Sequence, residues 1–253
     1  MLSLKRTAFF VLLVFDFFPA QYTFAQESTP ASIDSSKMNV YFLSGLGADK
    51  RVFSKLKLDD DILVHHIEWI KPLKNETIAQ YAQRLLPQID TTKPFQLVGV
   101  SFGGMIASEI AEIVKPEQIV IISSTATGIP VSGFYRGLTK FLLLSPFAGP
   151  VLKSANKFTY KYFGATTPEA KSLLKDILHD TDTKFLKWAL VRMSRWEKKQ
   201  RAENLYHIHG DEDRLIPVKL VKPDTVIAGG GHLMVFSQAA EISAILNKKL
   251  KGK

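Results

Sequence analysis

The sequence predicts an α/β protein: a mostly parallel central sheet flanked by helices, with an inserted helical cap. Three observations carry this. From residue 38 to about 127, near-continuous apolar runs alternate with helix-periodic segments, the pattern of strands covered on both faces. Over residues 129–200 the alternation lapses, and helical stretches rich in large apolar side chains replace it. Two further strand patterns and a closing helix then complete the chain.

Taken in order, the chain begins with Lys5 and Arg6, an unbroken apolar run over 8–15, Pro19, and small residues around Thr23 and Ala25. This is the layout of a secretory signal peptide with cleavage before Gln26, too short in its apolar part to span a bilayer comfortably. Residues 1–25 are therefore expected to direct export to the periplasm or exterior, with an uncleaved membrane anchor as the alternative. Residues 26–37 are polar and turn-rich, as in a linker. Residues 39–43 form a strand that runs into the turn Ser44-Gly45-Leu46-Gly47. Residues 62–70 form a second strand, and Asn75 is expected to cap a helix with Ile78, Tyr81, Ala82, Leu85 and Ile89 on its apolar side. A third strand over 95–100, a helix over 102–114 and a fourth strand over 119–122 follow. The cap carries helical stretches over 135–144, 169–178 and 183–196. Strands over 205–209 and 225–228 and a helix over 237–250 close the fold. The α/β core thus comprises residues 26–128 and 201–253, and the cap residues 129–200.

Composition narrows the chemistry. The 253 residues contain no cysteine, which removes disulfides, thiolate catalysis and Cys-ligated zinc. A chain of this size can bury a core large enough to stand without such staples. The net charge is +9, of which +1 lies in residues 1–25. The lysines are spread along the chain except at Lys248, Lys249, Lys251 and Lys253, and no basic stripe interleaved with aromatics appears. This excludes a nucleic-acid reader and leaves at most weak attraction to a membrane surface.

The chemistry lies in three stretches. Gly99-Val100-Ser101-Phe102-Gly103 matches G-x-S-x-G, with an apolar strand before Ser101 and an amphipathic helix after it. That context places a hydroxyl on a sharp strand-to-helix turn and the Phe102 N–H at a helix N-terminus, where an oxyanion is stabilised. Serine needs a base, and the base an orienting acid. Asp213 follows the strand ending at residue 209, and His232 follows Gly229-Gly230-Gly231 after the last strand. Both therefore stand at carboxyl ends of strands, where open α/β sheets place their sites. Asp211 is the neighbouring alternative acid. His65 and His66, in a strand, face opposite sides and read as structural. His207 and His209 share one strand face but lack a third ligand at metal-binding spacing, so no metal is expected.

On these residues the chain resembles the α/β-hydrolase superfamily of cofactor-free serine esterases, lipases and thioesterases over essentially all of residues 38–250. The resemblance implies the α/β-hydrolase fold, a catalytic set of Ser101, Asp213 and His232, and an oxyanion hole from the backbone N–H groups of Leu46 and Phe102. Gly210, Asp213 and Pro217 fit the family's G-x-x-D-x-x-x-P acid arrangement, which favours Asp213 over Asp211. Ser123-Ser124 leaves the alternative acid position used by some members without a carboxylate. Two departures stand out. Many members carry His-Gly where this chain has Ser44-Gly45, which leaves open what supports the oxyanion loop from outside. The family's usual first two strands have no counterpart before residue 38. The expected activity is hydrolysis, through an acyl-enzyme, of a carboxylic ester with an apolar part, using no cofactor or metal. Thioester cleavage, acyl transfer or lyase chemistry on the same residues, or ligand binding without turnover, are the alternatives; oligomeric state is open.

Overall fold

A computed structural model of the chain describes residues 37–128 and 148–252. The expected signal peptide, the linker as far as residue 36 and the helix expected over 135–144 lie outside them. Six strands form one sheet: β1 (Met38–Leu43), β2 (Ile62–His66), β3 (Phe95–Val100), β4 (Gln118–Ile122), β5 (Leu205–Gly210) and β6 (Thr225–Ile227). Their order is β2-β1-β3-β4-β5-β6, and every pair is parallel.

The apolar runs read from the sequence are strands buried on both faces, and side chains alternate between two cores. Tyr41, Leu43, Leu97, Ile119, Ile121 and Leu205 face one core with helices α1 (Ile78–Leu85) and α2 (Phe102–Ile113). Val40, Phe42, Val98, Val120, Ile122 and Ile208 face the other. There they meet Met234 and Val235 of α7 (Met234–Ser237) and Ile242, Leu246 and Leu250 of α8 (Ala239–Leu250). Each such side chain, fully buried, is worth roughly 1.5–3 kcal/mol.

Between β4 and β5 lie α3 (Ala148–Leu152), α4 (Lys157–Phe163), α5 (Pro168–Asp180) and α6 (Thr183–Met193). They are tied to the rest of the fold at separate places. Phe185 and Ala189 of α6 join the α1–α2 core, and Ile177 of α5 joins the other. Ala170, Leu174 and Leu178 of α5 pack with Leu233 and Phe236 in a third cluster.

Two expectations need correction. The second strand ends at His66, not residue 70. Beyond it, Ile70 both donates its N–H to and accepts a hydrogen bond from the Tyr81 hydroxyl, at 3.0 and 2.8 Å, so apolar residues 69 and 70 turn toward α1 instead of extending the sheet. The cap of α1 is Thr77, not Asn75: its hydroxyl accepts from Gln80 N, and the Gln80 side chain accepts from Thr77 N, a reciprocal capping box. Asn75 instead takes a left-handed φ of 64° in the preceding turn, a conformation Asn tolerates better than most residues.

Candidate active site

The chain runs from β1 outward to β2, then returns to the other side of β1 as β3. The sheet therefore changes direction between β1 and β3, and side chains at their carboxyl ends converge beside a crevice. Leu43 of β1 stands opposite Gly99 of β3, so the loop from Ser44 leaves the sheet beside the turn at Ser101. Gly103, in the first turn of α2, lets that helix press onto β1: a Cβ there would overlap the carbonyl oxygens of Leu43 and Ser44.

Ser101 has φ 53° and ψ −119°, an unfavourable conformation for a residue with a Cβ. It is held by its N–H to Ile122 O at 2.9 Å and by its own carbonyl, which accepts from the Ser124 hydroxyl at 2.6 Å. The half-buried Ser101 hydroxyl faces His232, with Oγ 2.9 Å from Nε2. On the other side of the ring, Nδ1 lies 2.8 Å from Asp213 Oδ2. A carboxylate only accepts, so Nδ1 carries the proton and Nε2 is free to accept from the serine. The three side chains named from the sequence thus meet in the order hydroxyl, imidazole, carboxylate.

Asp213 is buried, and its second oxygen accepts from Leu215 N and Ile216 N, each at 2.9 Å. Behind it, the buried His209 donates from Nε2 to the Ile216 carbonyl at 2.7 Å. Burial holds His209 uncharged, so its Nδ1 accepts from His207 Nε2 at 3.1 Å. His207, also buried, has its pKa pushed down to about 3, mainly by desolvation and then by the neighbouring His209 and Arg201. The pair, read from the sequence as sharing a strand face without a third metal ligand, is a hydrogen-bonded brace for the acid's turn. Asp211 faces elsewhere, accepting from Gly229 N at 2.7 Å. His65 stacks on Tyr41 and His66 on Phe53, on opposite faces of β2, as alternation requires.

The histidine loop is also gripped by the segment between β4 and β5. Leu233 N donates to Phe163 O at 2.9 Å, and the Phe163 ring meets the His232 ring edge-on at 5.7 Å. Gly164, which ends α4 with φ 67°, approaches so closely that a Cβ would lie 2.8 Å from Gly231 Cα.

The two backbone N–H groups expected to receive the oxyanion, those of Leu46 and Phe102, belong to the loop after β1 and to the start of α2. Phe102 is the first residue of α2, whose N–H has no intrahelical partner. Gly45, just before Leu46, sits against Ser101: a Cβ built on it would be 3.7 Å from Ser101 Cβ. The Ser44 hydroxyl donates to Ala48 O at 2.7 Å, closing the loop on itself. The Trp69 indole N–H donates to the Gly45 carbonyl at 3.2 Å. Trp69 carried no role in the sequence, because nothing local links residues 45 and 69; only the departure of the chain from β2 brings them together.

The match to known proteins agrees with this frame. The chain belongs to the alpha/beta hydrolase family, whose model matches residues 40–245. No curated protein matches it. Among solved structures it is similar to a hydrolase from Oleispira antarctica, at 14% identity and TM-score 0.67 over 86% of this chain and 92% of that one. A thermophilic esterase from Thermogutta terrifontis is similar at 14% identity and TM-score 0.65, covering 86% and 90%. An esterase from Exiguobacterium antarcticum gives 14% and 0.64, covering 85% and 92%. At such identities the likeness establishes the fold, and activity has to be argued from the site.

Proposed function

We propose that the chain is an exported serine hydrolase that cleaves a small or medium carboxylic ester through an acyl-enzyme on Ser101. The observation that carries this reading is the unbroken line from Ser101 Oγ through the His232 ring to Asp213 Oδ2, with contacts of 2.9 and 2.8 Å. His232 Nε2 takes the proton as Oγ attacks the carbonyl carbon; Asp213 stabilises the imidazolium; and the N–H groups of Leu46 and Phe102 receive the oxyanion. His232 then returns the proton to the leaving alcohol, and a water activated by the same nitrogen releases the acid. Every proton moves between this chain's own groups, the substrate and water, so the scheme calls for no metal or cofactor.

Support for an apolar substrate portion comes from one side of a cleft of about 440 Å³ beside Gly47, where Trp69, Ile70, Pro72 and Phe185 line it; Lys71, Asp180, Asp182 and Lys184 make the opposite side charged. We read the described helices α3–α6, within the cap expected over residues 129–200, as the lid over this side of the sheet. Export rests on the three-part pattern of residues 1–25, and recovery of secreted protein beginning at Gln26 tests it.

The decisive experiment compares wild type with Ser101→Ala, using a serine-directed phosphonate and aryl esters of increasing acyl length. Labelling and an acyl-length optimum in wild type alone are expected, with kcat of the variant lower by about 10⁴-fold or more. Equal labelling of both proteins removes Ser101 as the nucleophile. Labelling without turnover of esters or thioesters would move the chain to acyl transfer, lyase chemistry or ligand binding.

A further inference from the structure

We infer that Trp69 is the positioning residue of the oxyanion hole, acting through the peptide bond between Gly45 and Leu46. This rests on the oxyanion role of Leu46 proposed above. In a planar trans peptide, C=O and N–H point in opposite directions, so whatever fixes the Gly45 carbonyl fixes the aim of the Leu46 N–H. Two donors hold that carbonyl: Ala48 N at 3.0 Å, within the loop, and the Trp69 indole N–H at 3.2 Å, from outside it. With both on the oxygen side, the Leu46 N–H is turned away from them, and among the described residues it donates to no protein group. Two donors on one carbonyl also polarise its peptide, which strengthens the N–H at the opposite end.

The same indole touches the other half of the hole. Its ring packs against Phe102 with centroids 5.5 Å apart, and Phe102 supplies the second N–H. Phe185 at 6.0 Å and Tyr81 at 6.3 Å complete the ring's surroundings, and Tyr81 itself clamps Ile70 by two hydrogen bonds. Trp69 is therefore not a loop side chain that happens to reach a carbonyl. It is wedged between α1, α2 and α6, and its single polar atom is spent on the one peptide whose orientation the reaction depends on. The Ser44-Gly45 sequence left the outer support of this loop unassigned; Trp69 supplies it from a different strand end.

A tryptophan that only fills space would satisfy its N–H on any nearby acceptor, and the test separates the two roles. Trp69 is replaced by Phe and, site-specifically, by benzothienylalanine, which keeps the bicyclic shape and loses only the N–H. Kinetics on the best aryl ester and inhibition by an aryl boronic acid, which forms a tetrahedral anion on serine, are measured beside Ser101→Ala. For both replacements kcat should be lower by about 10- to 100-fold with boronate affinity lower in step; KM should change by less than about 3-fold in the benzothienylalanine protein, which keeps the cleft wall, while the smaller Phe ring raises KM as well. Unchanged kcat and boronate affinity in the benzothienylalanine protein overturn the inference, as does a rise in that protein's KM alone, which would leave Trp69 only its place in the cleft wall. If the Phe variant fails to fold, the isosteric replacement decides by itself. Should Ser101→Ala remain active, the nucleophile assignment fails; an inactive Ser101→Ala beside a fully active Trp69 replacement sinks only the role of Trp69.

Discussion

Asp213 shows how a single side chain is made to face one way. One oxygen is occupied by two backbone N–H groups, which leaves the other for His232. Asp213→Asn retains the acceptor toward Leu215 and Ile216 but presents an amide N–H₂ to the imidazole, which forces the wrong tautomer. Ester turnover should fall by about 10⁴-fold while the thermal melt stays close to wild type. His209→Leu acts differently. It strips the buried Ile216 carbonyl of its donor and takes the acceptor from His207 Nε2, at roughly 1–3 kcal/mol for each buried polar group left alone. Urea denaturation should register that loss, with a smaller fall in kcat than the Asp213 variant gives. A wild-type urea midpoint for His209→Leu would remove the brace from the account of the site.

At the scale of elements, the strand-to-helix turn at Ser101 depends on α2 lying against β1. Gly103→Ala places a methyl group among the carbonyls of Leu43 and Ser44, and overpacking of that kind costs about 1–3 kcal/mol. Activity should drop further than stability alone accounts for, because the displaced helix carries the Phe102 N–H; equal losses in Gly103→Ala and an overpacked site distant from the serine would contradict this. Thr77→Ala removes the capping box of α1 and should lower stability by about 1 kcal/mol with no effect on kcat. These elements differ in how legible they were. The buried strands β1, β3 and β4 and the helix after Ser101 follow from apolar runs and periodicity, so their bounds lie within a residue or so of those expected. Ser101, Asp213 and His232 were legible because each sits just beyond a strand end, and a parallel sheet gathers those ends on one side. The N-cap of α1 was misplaced because Asn and Thr both favour caps, and only the backbone angle of Asn75 excludes it. The end of β2 was missed because Trp69 and Ile70 are as apolar as a strand requires, while their partners, Gly45, Tyr81 and Phe102, are remote in sequence. The His207–His209 pairing has the same origin: the spacing was visible, but the Ile216 carbonyl that orients it belongs to a later turn.

For the molecule as a whole, the buried histidines make stability depend on pH in a definite direction. His207 titrates near 6.5 when exposed but is held uncharged until about pH 3 when folded. Between those values the unfolded chain binds the extra proton, so stability falls as pH drops through the window, by up to about 1.4 kcal/mol per pH unit from this group. His209, shifted the same way by burial, adds to the slope. Urea midpoints at pH 6.5 and 4.5 should therefore diverge more in wild type than in His207→Gln, and parallel shifts in the two proteins would count against this source of acid sensitivity.

The grip of Phe163 and Gly164 on the loop of His232 has a bearing on how such a protein can be altered. His232, the proposed general base, is seated partly by the segment between β4 and β5 and not by the sheet alone. Grafting a foreign insertion to change substrate range would then disturb proton transfer as well as selectivity, unless the graft keeps the Phe-Gly corner that ends α4. Recombination points placed after residue 164 preserve that corner, whereas those placed before it exchange the seat of the histidine along with the substrate-facing surface.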